Sequence, residues 1–171
     1  GAAALSSTIA IGTQALQASG AQTSTNNVFV GKHSGGGSWG GTATDNIGIG
    51  SSTLAGALSA STNNIAIGSD VLAALTTGDN NIGMGQYTMD ALTSGTGNVA
   101  MGYSALSAAD STPSGESWNV AIGYEAMKNV TNAAADTNIA IGYQALEGGG
   151  ATGANNIVMG NSTMDHASAA A

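Results

Sequence analysis

The chain has 171 residues, a formal net charge of -8 and only 7% charged residues, with Lys32 and Lys128 as its lysines and no arginine. So little positive charge excludes nucleic acid and anionic membrane surfaces as natural partners, since both are held through basic patches. The lack of cysteine excludes a disulfide framework or thiolate metal site, and no run of about 18 apolar residues is present to insert in a membrane.

In chain order, Gly1-Ala2-Ala3-Ala4 carries no methionine and is read as the continuation of something longer. Thr8-Ile9-Ala10-Ile11-Gly12 then opens a pattern that returns along the whole sequence. Its closing glycines are Gly12, Gly31, Gly50, Gly68, Gly85, Gly102, Gly123, Gly142 and Gly160, a repeat of 17–21 residues. Four residues before each glycine, from the second copy on, stands Asn27, Asn46, Asn64, Asn81, Asn98, Asn119, Asn138 or Asn156. Four residues after it comes Leu or Met, as at Leu16, Leu54, Leu72 and Met89, with Gly35 as the exception. Self-similarity of this period marks a stacked array. Residues 1–171 are therefore read as one domain of nine copies.

The second copy is irregular. Phe29 replaces the small central residue, and residues 32–41, rich in glycine and carrying Trp39, read as a flexible loop. Residues 46–106 hold the most regular copies, and a segment such as residues 69–75 suits either a helical turn or a second strand. The longest insertion runs from Ser107 to Trp118 and holds the single proline, Pro113. Copies with a tyrosine after the glycine follow, and beyond Met164 the chain becomes Ala- and Ser-rich.

Within one copy, large-small-large apolar triplets alternate with period two, which is a short strand. The flanking Ile, Val or Met are expected to point inward with the later Leu or Met. The central Ala10, Gly48, Ala66, Gly83, Ala100, Ala121 and Ala140 are then expected outward, a flat ladder suited to close approach by another chain. Asn at the strand entry suits a corner, because it tolerates positive φ and bonds nearby backbone. The fold class expected is all-β, a parallel β-solenoid or β-roll of nine coils, each too small to bury its anchors alone.

The unit Asn138-Ile139-Ala140-Ile141-Gly142-Tyr143-Gln144-Ala145-Leu146 resembles the head repeats of trimeric autotransporter adhesins and, more closely, related repeats of bacteriophage tail fibres. The match rests on the core at Asn64 and Gly68, Asn98 and Gly102, Asn119 and Gly123, and Asn138 and Gly142, and extends loosely along nearly all the chain. It implies a β-roll in which three chains associate. The longer period here leans towards the phage type.

Tyr103, Tyr124 and Tyr143 occupy one position in three successive copies and are expected to stack as a ladder, either a sugar- or protein-binding stripe or a purely structural one. Trp39 and Trp118, both in irregular segments, are candidate ligand contacts, the alternative being rings folded over a coil edge. The acidic residues read as a solvated surface without calcium-loop spacing. His33 and His166 lack companions for a metal site, and no cofactor is implied. No nucleophile elbow is present, and carboxylates that could meet across coils for glycoside cleavage, for example Glu116 and Glu125, are suggested only by nearness in sequence, so an enzyme is not expected. The expected function is that of an extracellular, cell-surface or virion fibre segment in adhesion or receptor binding, a homotrimer presenting several weak contacts to a glycan or protein. The alternative is a structural filament or spacer without a ligand.

Overall fold

The computed structural model describes residues 5–17, 24–107, 116–130, 135–148 and 153–164. Among them there is no helix. The strands, in chain order, are β1 (Leu5–Ser6), β2 (Ile9–Ile11), β3 (Ser24–Thr25), β4 (Val28–Val30), β5 (Ala43–Thr44), β6 (Ile47–Ile49), β7 (Ile65–Ile67), β8 (Ile82–Met84), β9 (Val99–Met101), β10 (Val120–Ile122), β11 (Ile139–Ile141) and β12 (Ile157–Met159). The nine triplets (β2, β4 and β6 to β12) form one parallel sheet in chain order, and β1, β3 and β5 form a second. Pairing is without slip: Ile65 faces Ile82, Ala66 faces Gly83 and Ile67 faces Met84. The fold is thus the all-β parallel solenoid that the repeat predicts.

After β5 the second wall continues by different means. An isolated bridge joins Thr44 to Thr62. Beyond it, side chains accept the backbone donors: Thr62 N–H donates to Asp79 Oδ1 at 2.7 Å, Thr96 N–H to Ser117 Oγ at 3.1 Å, and Ser117 N–H to Asp136 Oδ1 at 2.7 Å. Residues 69–75 form turns, not a helix. Asp70 N–H donates to Ser51 O, Leu72 N–H to Thr88 O and Ala74 N–H to Asp90 O, so these donors serve neighbouring coils, while Leu75 N–H closes a turn on Leu72 O. Asp70 and Leu72 also have φ of 56° and 51°, which a right-handed helix forbids.

The strand faces are the reverse of the sequence-based expectation. Ala66, Ala100, Ala121 and Ala140 are fully buried, and Ile49, Ile82, Met84 and Met101 are exposed. Of the small central residues, Ala10 in the first strand alone lies in the open. The reason is volume. Leu54, Leu72, Met89, Leu106, Met127 and Leu146 fill the coil from the turn side, with Leu58, Leu75, Leu92 and Val130 beside them. In those coils only a methyl group or a hydrogen fits opposite; in the end coil Met164 is exposed and the central Val158 is buried in its place. Where Val71 enlarges the turn side, the strand of the next coil has Gly83, at which a Cβ would lie 2.6 Å from the valine Cγ1.

The asparagines also act differently from a simple corner residue. The left-handed residue is the one before each: Asn26 (φ 57°), Asp45 (58°), Asn63 (58°), Asn80 (58°) and Thr137 (57°). The asparagine itself, from Asn27 to Asn138, is buried and bonds along the stack. Asn64 Oδ1 accepts from both the N–H and Nδ2 of Asn81, each at 3.0 Å, and Asn64 Nδ2 donates to Gly78 O at 2.9 Å. This ladder runs through Asn27, Asn46, Asn64, Asn81 and Asn98, and its backbone arm continues to Asn119, Asn138 and Asn156.

Residues 32–41 are not a flexible loop but follow the ladder, with His33 N–H bonded to Thr13 O and Gly35 N–H to Thr53 O. The two anomalies of this copy compensate each other. Phe29 points inward, fully buried, and occupies the volume that Leu fills elsewhere, so that a Cβ on Gly35 would meet its ring at 2.9 Å. Trp39 closes the site, its ring edge-on to Phe29 at 5.9 Å and its Nε1 donating to Gly35 O at 3.2 Å. Phe29→Ala should cost about 3–5 kcal/mol through the cavity it leaves. Gly35→Leu alone should also destabilise, by forcing its side chain into the ring. The double variant restores the ordinary repeat, because Gly35 has φ 62° and Leu54 already sits at 49°. Chemical denaturation of the four proteins checks this: the double variant should lie well above the sum of the single losses.

Candidate functional site

Three exposed features remain once the core is assigned. The broadest is the outer face of the nine-stranded sheet. Every outward strand position is Ile, Val or Met, including Ile82 at 36% and Met101 at 40% exposure, and no strand contributes a charge. On a chain of net charge -8 this is an uncharged apolar surface. Unpartnered surfaces of this kind mark association sites.

The second feature is the tyrosine ladder, which forms as the spacing predicts. Ring centroids are 5.2 Å apart for Tyr103 and Tyr124 and 5.1 Å for Tyr124 and Tyr143, with interplanar angles of 11° and 6°. Tyr87, one position later in its copy, meets Tyr103 edge-on instead. In-register coils about 4.8 Å apart dictate the stack. Beside it, Lys128 Nζ lies 2.6 Å from Glu125 Oε1, and Gln144 Nε2 donates to Glu125 Oε2 at 2.9 Å. These bonds, that of Lys128 foremost, hold the Glu125 carboxyl below its usual range, and Glu125 in turn raises the Lys128 ammonium. Lost hydration and the Glu125 charge push the Tyr124 hydroxyl upward.

The third feature is Trp118. Its ring is 61% exposed and its backbone left-handed, φ 60°, held by N–H donation to Thr96 O. It occupies the column of Asn63 and Asn80, where the coil below offers Gly97. The indole lies directly against that glycine: a Cβ there would overlap Cε3 and Cζ3 and come within 2.9 Å of Cδ2. One face is pinned and the ring stays open to solvent. The glycine one repeat upstream is the sequence signal that could have told Trp118 from Trp39.

The two tryptophans therefore part company. Trp39 is 5% exposed and belongs to the core. The carboxylates need correction as well, since Glu116 and Glu125 are buried, not solvated. Glu116 occupies the inward column of Ser24 and Ala43, and Glu125 is engaged by Lys128 and Gln144. The insertion at 108–115, with Asp110 and Pro113, lies outside the described residues, as do Asp165 and His166. Among the described residues no group of three His, Asp or Glu is placed to hold a metal ion, and there is no pocket. No protein-family model, curated protein or solved structure matches this chain.

Proposed function

We propose that this chain is a segment of an extracellular or virion-borne fibre, a homotrimer that acts in adhesion by rigid multivalent display. The observation that carries the reading is the uncharged Ile, Val and Met face running the length of the sheet. Two acidic chains repel least where neither has a charge, so copies of the chain are the natural occupants of that face. The number three comes from the adhesin-head and tail-fibre resemblance. On a trimer packed through this face, Trp118 stands three times over at the corner before β10, 61% exposed, as a flat ring for a cell-surface glycan or protein, and repeated weak contacts add through avidity.

Light scattering of the parent should give a three-chain mass that survives dilution. Ile82→Lys with Met101→Lys should reduce it to one chain with the β circular dichroism kept, because both side chains already face outward. A monomeric parent at all concentrations would sink the assembly reading. With assembly intact, Trp118→Ala should weaken adherence to host cells; unchanged adherence would leave a spacer instead.

A further inference from the structure

The tyrosine ladder has a chemistry that neither stacking nor adhesion uses. We propose that Tyr103, Tyr124 and Tyr143 form an oxidative cross-linking site, at which a peroxide-driven one-electron oxidant joins neighbouring rings as dityrosine within one chain.

The fold supplies what the coupling needs. Radical coupling of two phenols joins carbons ortho to their oxygens, so the rings must meet with equivalent atoms side by side. Parallel in-register pairing does this: Ile122 faces both Met101 and Ile141, which sets the following Gly-Tyr pairs in step. Glu125 N–H bonds Tyr103 O and Gln144 N–H bonds Tyr124 O, each at 2.8 Å, which locks the backbones where the rings emerge. Centroids 5.1–5.2 Å apart with planes within 11° make these rings nearest neighbours, and tilting about the side-chain torsions is the one movement the coupling requires. Exposure of 40%, 43% and 48% leaves each ring edge open to an oxidant. The chain has no cysteine, so no disulfide can tie its coils together.

The step balances. Each of two phenols gives one electron to the oxidant and its hydroxyl proton to water; for Tyr124 the ionised Glu125 beside it is the first acceptor. The two phenoxyl radicals form one carbon–carbon bond, and the two ring hydrogens at that bond leave carbon as both phenols are restored. Net, two tyrosines lose two hydrogen atoms and one peroxide becomes two waters. Tyr124, between the other two, is a partner in either possible link. Tyr103 and Tyr143 stand two coil spacings apart and cannot reach each other, and Tyr87 meets the ladder at 87°, the wrong angle.

The test treats the assembled protein with peroxidase and limiting hydrogen peroxide, then reads dityrosine fluorescence, mass and cross-linked peptides. The parent should lose the mass of two hydrogens per link, run as a single chain on a denaturing gel, and yield peptides joining Tyr124 to Tyr103 or Tyr143. Tyr124→Phe keeps a ring in the stack and should abolish the intrachain link, while Tyr87→Phe should leave it unchanged. The proposal is overturned if dityrosine forms in the parent only between chains, or if Tyr124→Phe links as well as the parent. Peptide mapping of the parent decides the matter even if the variant folds poorly.

Discussion

Gly102→Ala is expected to lower stability by more than about 4 kcal/mol, beyond most single substitutions. The glycines that close the nine triplets share φ between 123° and 139°, a backbone shape that side chains rarely adopt. They also sit directly over one another. A Cβ on Gly102 would overlap the Gly123 carbonyl oxygen, which cannot swing away because it is backbone of the next coil. Strain and overlap therefore act together. Because Gly102 lies mid-array, relief requires opening the contact between successive coils, and stability in such arrays is a sum of coil and contact terms. Thermal melting followed by circular dichroism should show a large downward shift or two separated transitions. A loss under about 1 kcal/mol, as for an ordinary exposed site, would mean that the glycine ladder is not closely stacked.

Asn64→Ala should cost about 2–6 kcal/mol, from two buried groups at about 1–3 kcal/mol each. The variant takes from the Asn81 N–H its acceptor, Asn64 Oδ1 at 3.0 Å, and from the Gly78 carbonyl its donor, Asn64 Nδ2 at 2.9 Å. Asn64→Asp separates the two arms. The oxygen facing Asn81 remains, but the other now presents negative charge to the Gly78 and Asn46 oxygens in a buried site. Desolvation and those oxygens raise the carboxyl above its unfolded value. The variant should then be closest to the parent at low pH and lose stability as pH rises through the folded pKa. A flat pH profile for this variant would show that the ladder is open to water.

Much of the fold was legible because the repeat states it many times over. Asn-x-x-x-Gly with a Leu or Met four residues on is a strand, a forced turn and an anchor. Nine nearly equal copies admit few arrangements but a stack. The tyrosine ladder followed from the same arithmetic, since residues at one repeat position meet one coil apart. Trp39 and Trp118 were not separable in this way. Each lies in an irregular segment, and their fates depend on the neighbouring coil: Phe29 and Gly35 make a hole for the first, and Gly97 a shelf for the second.

Local alternation and a fixed period suffice for the strands, their parallel register and the solenoid. Which strand face is inside depends instead on how the folded coil is filled. Period-two alternation makes two faces and is silent on which is buried, and apolar bulk misleads when the opposite wall already fills the coil. Leu54, Leu72 and Met89 take that volume, so Ala66 and Gly83 go in and Ile65, Ile67 and Ile82 go out. The partner-facing surface changes with that choice, from a ladder of small residues to a ladder of isoleucines, valines and methionines.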